Sequence, residues 1–368
     1  MREGRAEPQS AIAFACRSAQ GGTHSSWGST LMDDGFSAKI DLNSRIVRYG
    51  DLRPCTTAFI DARTPGSDRK ENFTIIGPGV AENPDQYVHI SEPHGFNIGG
   101  ARQPPRCVNS QHFHETAEVF LVHSGTWAFR TGERADEGEI ILRPGDVISI
   151  PVHVFRGFEN VGDDIGFLYA VLGGDDPGRV IWAPDVLIRA ADHGLLLLEN
   201  GRLIDTLRGE QAPEDMPSIR PLSSEDLARV VAHCDADGLA DVVVRTGEEA
   251  PFEGPLSGPG VTESAVIGAA SAAENAPAGK LAWQHGFVCR RLDIAAGAQT
   301  PTYVLDQNEV VFVHSGAVRV DVANQSAELS TGDTVSLPPG ARRKLSSATG
   351  AHLFVTRRGD PAPTPRIT

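Results

Sequence analysis

The chain has 368 residues, a formal net charge of −15 at pH 7, 39 glycines and 25 prolines. This length suits about two domains, and the acidic balance argues against binding to nucleic acids or to anionic membranes, which both need basic patches. The many turn-forming residues and the scarcity of helix-like periodic runs favour a turn-rich β fold.

The N-terminal segment, residues 1–44, shows no secondary-structure pattern. Residues 1–31 are rich in Gly, Ser and Ala, so we predict disorder here and regard Met32 as an alternative start of translation. The apolar stretch at 11–16 is too short for a secretory signal, and no other run approaches the roughly 18 apolar residues of a membrane-spanning helix. Residues 46–88 are expected to supply additional strands and a loop beside the functional site.

The first distinctive motif is His112-Phe113-His114, which is followed by Glu118 and Gly125. Alternate residues of a strand face the same side, so both imidazoles are expected to point inward, and Glu118 joins them if the strand continues through a short bend. Two histidines and one carboxylate with open coordination positions suit Fe(II) or a similar divalent metal. The motif therefore predicts a metal site.

Short apolar runs surround this motif and are separated by turn residues. Ser124-Gly125 indicates a hairpin turn, and the Pro-Gly-Asp sequence at 144–146 indicates another turn. Regular short strands with glycine turns are typical of a β-sandwich or barrel. The predicted strands are 118–122, 126–130, 139–142, 147–151 and 167–172.

The same pattern occurs again in the last third of the chain. Residues 120–125, Phe-Leu-Val-His-Ser-Gly, match residues 311–316, Val-Phe-Val-His-Ser-Gly. Residues 145–151 match residues 332–338 in the same way, and an arginine lies five positions beyond the proline that ends each stretch. Because order and spacing are both preserved, the sequence predicts a duplicated β module.

A connector, residues 183–280, separates the two modules. Ser223 before the apolar run 227–232 is typical of a capped helix, whereas residues 249–280, rich in Ala, Gly, Pro and Glu, are predicted to form an exposed loop. The predicted parts of the chain are a disordered segment (1–44), an N-terminal domain (45–182), this connector and a C-terminal domain (281–368).

The motif residues resemble the first conserved motif of the cupin family. His112, His114, Glu118 and Gly125 match that motif, whereas Arg106 replaces its leading glycine. The match implies that the N-terminal domain carries a cupin metal site.

The second cupin motif is matched in part. Gly145, Pro151 and Asn160 match it, but Arg156 stands at the position of its metal-binding histidine and His153 at the position of its second glycine. The resemblance covers two stretches of the chain, about 105–175 and 285–357.

A bicupin is the architecture that this resemblance implies: an all-β fold of two cupin (jelly-roll) barrels in one chain. In the second module, Tyr303 and Leu305 replace the paired histidines and Arg343 replaces the third, while Glu309 remains. Because leucine cannot ligate a metal, the C-terminal barrel is expected to be degenerate and structural, and the N-terminal barrel to be the metal centre.

Several residues near the paired histidines have alternative roles. Glu118 is either the third metal ligand or the ion-pair partner of Arg156. Arg156 is in turn either structural or a catalytic clamp for a substrate carboxylate, since guanidinium binds carboxylates in bidentate fashion. His153 is a substitute metal ligand if its strand twists it inward, and otherwise a rim residue. Gln111 faces outward by its phase unless the strand end turns it toward the substrate, and Asn109 lies near the mouth.

Other histidines and aromatic residues have less specific patterns. His123 recurs as His314 in the module without paired histidines, which indicates a turn or packing role. His89 and His94 precede the first barrel in a loop, where a surface position is expected. Five aromatic residues are candidates for the walls of the site, although a position in the barrel core is favoured for most of them: Phe113, Trp127, Phe129, Phe155 and Phe158.

The resemblance implies an enzyme similar to the gentisate and salicylate ring-cleaving dioxygenases. In such an enzyme Fe(II), or else Mn(II), is held by the paired histidines with Glu118 or His153, and O2 cleaves the ring of a hydroxylated aromatic acid. The alternatives are a metal-assisted isomerase or lyase of a small organic acid, and a non-catalytic cupin that binds a small acid.

Assembly and location are predicted from general features. Cupin barrels associate through strand edges, so a homodimer or homotetramer is expected, with no nucleic-acid or membrane partner. The five cysteines are odd in number and widely spaced, which indicates neither a disulfide framework nor a CxxC metal site and fits a cytoplasmic protein.

Overall fold

The computed structural model describes residues 40–368, so Met32 and most of the segment predicted to be disordered lie outside the described residues. The last part of that segment, 40–44, is ordered. Leu42 is buried among the apolar side chains of the C-terminal barrel, and its N–H donates to Oε1 of Gln325 at 3.0 Å. The prediction of disorder is therefore wrong for residues 40–44.

Strands dominate the described part of the chain. The N-terminal half contains β1 (Ile46–Val47), β2 (Glu71–Ile76), β3 (Val88–Ile90), β4 (Phe96–Gln103), β5 (Val108–Phe113), β6 (Glu118–Ser124), β7 (Trp127–Thr131), β8 (Gly138–Leu142), β9 (Val147–Ile148), β10 (Arg156–Asn160), β11 (Gly166–Gly173) and β12 (Ile181–Trp182). The middle contains α1 (Pro184–Asp192), β13 (Leu195–Leu197), β14 (Leu203–Asp205), α2 (Ser224–Val230), α3 (Ala236–Asp241), β15 (Val243–Val244), β16 (Ala250–Phe252) and β17 (Val261–Ile267). The C-terminal half contains β18 (Phe287–Ile294), β19 (Tyr303–Val304), β20 (Glu309–Val322), β21 (Gln325–Ser330), β22 (Thr334–Leu337), β23 (Arg343–Ser346), β24 (Ala351–Arg358) and β25 (Arg366–Ile367).

The N-terminal barrel consists of two facing sheets. The larger has the strand order β15-β9-β6-β11-β4-β2-β3, and the smaller has the order β12-β5-β10-β7-β8. Side chains from both sheets, including Phe120, Phe129, Phe158 and Leu168, share one apolar core. The C-terminal barrel is a curled sheet whose main path is β16-β17-β18-β24-β20-β23-β19-β25. The prediction of an all-β fold with two jelly-roll barrels is confirmed.

The two barrels pack against each other through their large sheets. Strand β11 is buried at every position, because one of its faces lines the N-terminal barrel and the other contacts the C-terminal barrel. In that contact the ring of Tyr169 stacks on Phe312, with ring centroids 4.1 Å apart. Burial on both faces produces a continuous apolar run rather than an alternating one.

Each barrel receives a short strand from outside its own module. Strand β1 pairs with β22 of the C-terminal barrel, where Ile46 lies opposite Val335. Strand β15 pairs with β9 of the N-terminal barrel, where Val243 lies opposite Ile148. Sheet membership therefore does not follow the boundaries predicted at residues 45 and 281, and the division of the chain into domains stays a prediction.

The repeated Gly-Asp turns hold these exchanged strands in place. Asp333 accepts a hydrogen bond from the backbone N–H of Tyr49 at 3.0 Å and another from the guanidinium of Arg48 at 2.7 Å. Asp146 makes the same two contacts with residues 245–246. Because these contacts join the start of each module to the opposite barrel, they explain why the Gly-Asp pair occurs twice.

The turn at Ser124-Gly125 differs from the predicted hairpin. The strands on either side, β6 and β7, belong to different sheets of the N-terminal barrel. Gly125 has a φ of +87°, and a Cβ there would lie 2.7 Å from Gly166. Only glycine tolerates this left-handed, crowded position, which turns the chain from one sheet into the other.

The connector is more structured than its composition indicates. The predicted helix is present as α2, and Ser223 caps it by accepting a hydrogen bond from the N–H of Asp226 at 3.2 Å. The exposed loop predicted at 249–280 is wrong at 250–252 and 261–267, because β16 and β17 extend the sheet of the C-terminal barrel. Residues 261–267, Val-Thr-Glu-Ser-Ala-Val-Ile, form this strand although the residues around it are rich in turn formers.

Two histidines make equivalent contacts between the barrels. Nε2 of His94 lies 2.7 Å from Oγ of Ser336, and Nε2 of His285 lies 2.8 Å from Oγ of Ser149. His94 is buried, so the prediction of a surface position is wrong for this residue.

Within residues 40–368, no helix has both the length and the apolar character needed to cross a membrane.

A second pair of histidines between the barrels, His123 and His314, is expected to make the protein sensitive to acid. Their rings lie between the barrels with centroids 5.6 Å apart, and burial lowers the pKa of each to about 4. The unfolded chain therefore binds protons that the folded chain does not between the ordinary histidine pKa of about 6.5 and pH 4. The stability that the neutral rings contribute is fully present above pH 6.5 and is lost as the pH falls through this window.

This prediction is tested by following the thermal unfolding midpoint from pH 7.5 to pH 4.5. We expect a steeper fall for the wild type than for the His123→Leu/His314→Leu double variant, which lacks both titrating groups. Equal slopes for the two proteins would contradict a role of these rings.

Candidate metal centre

Three predicted ligands converge inside the N-terminal barrel. His112 lies near the end of β5, His114 lies in the turn that follows, and Glu118 begins β6 on the facing sheet. All three are buried, and one potential ligand atom from each lies within 4.8 Å of the others. The turn between the two sheets therefore brings the motif residues to one point, as their spacing predicts.

The imidazole of His112 is held in a defined orientation. Its Nδ1 lies 2.7 Å from the carbonyl oxygen of Ser110, which makes Nδ1–H the donor and leaves Nε2 as a free ligand atom. The ring also contacts His114 edge to face and lies against Trp182, both at 5.2 Å between centroids. Metal-bound histidines commonly donate their second ring N–H in this way.

Both imidazoles are neutral at pH 7. Burial holds the pKa of His112 and His114 well below the ordinary value, and the positive charge of Arg156 lowers it further. Neutral imidazole is the form that binds metal ions.

Glu118 lies near a predicted metal ligand, His114, and also pairs with Arg156, so the structure contains contacts for both of its predicted roles. Its Oε2 lies 3.6 Å from Nε2 of His114 and accepts a hydrogen bond from Nη2 of Arg156 at 2.5 Å. Arg156 lies opposite His112 on the neighbouring strand β10 and is buried. Its Nε and Nη1 have no hydrogen-bond partner within residues 40–368, so the guanidinium has donors to spare.

A buried charged pair lies behind His112. The ammonium of Lys70 contacts the carboxylate of Asp61, and both side chains are fully buried. Lys70 also donates to Oδ1 of Asn109 at 2.9 Å, and Oδ2 of Asp61 accepts from the N–H of Ser110 at 3.1 Å. Because the carbonyl of Ser110 receives Nδ1–H of His112, the pair supports the strand end that positions this ligand.

A second buried carboxyl group, Glu82, supports the opposite wall. Its Oε1 accepts from the indole N–H of Trp182 at 2.6 Å, and its Oε2 accepts from the N–H of Ile60 at 2.7 Å. Burial raises the pKa of Glu82 to about 8. The group therefore adds no full negative charge to the centre at neutral pH.

The three convergent residues open into a cavity of about 70 Å³. Its wall includes Asn109, as predicted, and residues from the loop at 77–87. Of the five predicted aromatic walls only Phe158 lines it; Trp127 and Phe129 belong to the barrel core, and the other two lie in an apolar cluster beside α1. The aromatic residues that line the cavity are Phe59, Phe73, Phe120, Phe158 and Trp182.

His153 does not lie with the convergent ligands. It has a φ of +66°, so the backbone turns its ring to the outside of the barrel. There it stacks on Phe113 with centroids 5.6 Å apart, and its Nδ1 lies 3.2 Å from the carbonyl of Val230. The interpretation of His153 as a substitute metal ligand is therefore corrected.

Gln111 also lies outside the cavity wall. Its Nε2 donates to the carbonyl oxygens of Arg130 at 3.2 Å and Gly132 at 2.7 Å. These bonds tie β5 to β7 and engage the amide nitrogen away from the cavity. Gln111 therefore faces outward, as its position in the strand predicts, and does not line the cavity as a substrate contact would require.

The C-terminal barrel has a different set of groups at the equivalent place. The hydroxyl of Tyr303 donates to Oε2 of Glu309 at 2.7 Å, and Nη1 of Arg343 lies 3.5 Å from the same oxygen. Leu305 is buried in the core. A phenol, an aliphatic side chain and an arginine thus stand where the N-terminal barrel has two imidazoles and an arginine.

Sequence reasoning did not identify Asp61, Lys70 or Glu82. Asp61 and Lys70 are nine positions apart in no recognisable motif, and Glu82 contacts a tryptophan one hundred positions away. The only available signal was that charged residues occur in a stretch expected to flank the site.

The donor set fits one divalent metal ion. Two neutral imidazoles and a carboxylate supply three ligands from one side, and the cavity leaves other positions open, which is the arrangement of two-histidine, one-carboxylate sites. The Nδ1–H of His112 is already engaged, so its free nitrogen faces the cluster. Arg156 is the one feature that competes with a metal ion for Glu118.

Comparisons with known proteins agree with this fold. Residues 101–172 match the cupin domain family Cupin_2, and no curated protein matches the chain. A formate complex of oxalate decarboxylase from Lactobacillus farciminis has a TM-score of 0.53 at 11% identity, over 88% of each chain. Two structures of the Bacillus subtilis oxalate decarboxylase, a deletion mutant and one used to study Mn(II) centres, have TM-scores of 0.51 at 11% and 12% identity, over 88% of this chain and 79% of theirs. Residues 101–172 are therefore a cupin domain, and the chain as a whole shares the two-barrel fold of these structures.

Proposed function

We propose that this protein is a metal-dependent enzyme of the lyase or isomerase type that acts on a small organic acid. The observation that carries the proposal is the buried cluster of His112, His114 and Glu118 at the inner end of a cavity. The shared fold with oxalate decarboxylases supports this class above an oxygenase, and their Mn(II) centres favour Mn(II) above Fe(II) here.

The residues of the chain supply the remaining requirements of such a site. A bound divalent metal would serve as a Lewis acid and as an anchor for a carboxylate. Arg156 has unpartnered donors beside the cluster and would neutralise a negative charge on the acid. The aromatic wall around the cavity lowers the local dielectric constant, which strengthens every charge interaction inside it.

A ring-cleaving dioxygenase is the second candidate, because five aromatic side chains line the cavity. Such a wall suits a hydroxylated aromatic acid of the salicylate or gentisate type, which would require O2 and which the sequence resemblance favoured with Fe(II). A cupin that binds a small acid without turnover is the third. The cytoplasmic location and the homo-oligomeric state stay predictions.

Replacing His114 with alanine is expected to weaken Mn(II) binding by at least about 100-fold. The loss of a ligand exceeds the roughly 10–100-fold that the loss of a supporting partner costs. The matched control is His233→Ala, whose side chain is 80% exposed and paired only with Glu137, and which should bind like the wild type. Titration of the purified, metal-stripped proteins with Mn(II), followed by electron paramagnetic resonance, measures this.

Turnover tests the reaction class. Protein loaded with Mn(II) or Fe(II) is incubated with short dicarboxylic acids, hydroxy acids and hydroxybenzoates, with and without O2, and products are identified by mass spectrometry. Turnover of an aliphatic acid without O2 supports the proposal, whereas O2 uptake with hydroxybenzoates supports the second candidate. A wild-type protein that takes up neither metal would overturn both enzymatic interpretations.

A further inference from the structure

The charges of the cluster balance before a metal ion is added. A ligating histidine is neutral, so His112 and His114 contribute nothing, while Glu118 and Arg156 form a buried pair of opposite sign. A divalent metal therefore brings two uncompensated positive charges into a site from which water is largely excluded. Buried charge without a counter-charge is costly.

No neighbouring carboxylate in residues 40–368 supplies that counter-charge. Asp61 is already paired with Lys70, and Glu82 accepts two hydrogen bonds on the far side of Trp182. A metal ion that ligates Glu118 also removes from Arg156 the one charged partner that it has among the described residues. The compensation must come from a ligand that enters with the metal ion.

We propose that Arg156 changes partners when the site is loaded, from Glu118 to an acid that carries two negative charges. One anionic group of the acid then lies on the metal ion and the other on the guanidinium. The inference rests on the proposed function, since it needs the metal ion that this function assigns to the cluster. It adds that metal ion and dianion bind cooperatively, and that an acid with one charge does not replace the dianion.

Arg156 lies behind Glu118, which lines the cavity, and is not itself part of the cavity wall. The guanidinium therefore becomes available to an acid when Glu118 turns from it to the metal ion, as the exchange requires. The guanidinium uses Nη2 for Glu118, while Nε and Nη1 have no partner in the described chain although the side chain is buried. An arginine presents paired N–H groups that match a carboxylate, so the spare donors offer a second anionic contact. The cavity of about 70 Å³ favours a short acid over an aromatic one, because it has about half the volume of an engineered cavity of about 150 Å³ that binds benzene.

The experiment measures Mn(II) affinity in the presence of two acids of the same carbon number. Malonate is the dianionic probe and propionate the monoanionic one, and free Mn(II) is corrected for its complexation by malonate. We expect saturating malonate to tighten Mn(II) binding at least about 10-fold, within the usual range of coupling between sites, and propionate to change it less than twofold. By reciprocity, Mn(II) must tighten malonate binding by the same factor.

Two variants separate the role of Arg156 from the role of the metal ion. Arg156→Gln removes the buried cation, so Mn(II) alone should bind at least as tightly as in the wild type, while most of the preference for malonate over propionate should be lost. Arg156→Lys keeps the charge and should preserve part of the preference for malonate. Malonate can also chelate a metal ion with both carboxylates, so a preference for malonate that Arg156→Gln keeps in full would overturn the exchange. If Arg156→Gln does not fold, a preference that Arg156→Lys leaves unchanged would overturn it in the same way.

The outcomes distinguish this inference from the proposed function. Mn(II) binding that malonate and propionate tighten equally would overturn the exchange of partners and leave the metal-dependent enzyme intact. A protein that binds no Mn(II) with either acid would overturn the proposed function, and the inference with it.

Discussion

Glu274→Gln is expected to lower the free energy of unfolding by about 3–5 kcal/mol, the usual result of breaking a buried ion pair by removing one partner. Glu274 is 1% exposed. Its Oε1 accepts from Nη1 of Arg357 at 2.6 Å, and its Oε2 lies 3.5 Å from Nη2 of Arg290. Because both arginines are also buried, a neutral glutamine leaves two positive charges in the C-terminal barrel without their common partner.

Denaturation by guanidinium chloride measures this loss. The matched control is Asp306→Asn, which breaks an ion pair with Arg366 whose side chains are 72% and 65% exposed and should cost less than about 1 kcal/mol. Mn(II) stoichiometry should stay that of the wild type for both variants, since Glu274 lies outside the metal cluster. A cost for Glu274→Gln as small as that of the control would show that water reaches these arginines.

Local pattern predicted the module and most of its strands, but not the exchange of strands between barrels. The two Gly-Asp turns and the repeated Val-His-Ser-Gly can be recognised in the sequence because each motif is a continuous stretch of a few residues. Strands β1 and β15 are two residues long and pair with partners far away in sequence. Their signal was nevertheless present: residues 46–50, Ile-Val-Arg-Tyr-Gly, match residues 243–247, Val-Val-Arg-Thr-Gly.

The candidate site likewise contains residues that local sequence patterns predict and residues that they do not. Spacing alone predicted that His112, His114 and Glu118 converge, because alternation along a strand and a short turn are local properties. The position of His153 depends on a left-handed backbone conformation. A histidine in the sequence does not predict such a conformation. The buried groups behind the ligands are reached only through contacts between distant segments, so no motif marks Lys70.

Lys70→Met is expected to lower the free energy of unfolding by about 3–5 kcal/mol as well, since it leaves the buried carboxylate of Asp61 without its cation. The matched control is Lys280→Met, which breaks an ion pair with Glu248 whose side chains are 40% and 47% exposed; it should cost less than about 1 kcal/mol. Chemical denaturation compares the two variants. If Lys70→Met costs no more than the control, then the buried pair contributes no more than a surface ion pair.

The double variant Lys70→Met/Asp61→Asn separates stability from positioning. It buries no unpaired charge, so most of the lost stability should return. Mn(II) affinity should nevertheless remain about 10-fold below that of the wild type, within the range expected for loss of a supporting partner, because Asn109 has lost the ammonium that holds it and Ser110 its charged acceptor. Affinity that recovers together with stability would mean that the pair stabilises the barrel without orienting His112. Affinity that stays low in a stable protein would identify Lys70 and Asp61 as positioning residues of the metal centre.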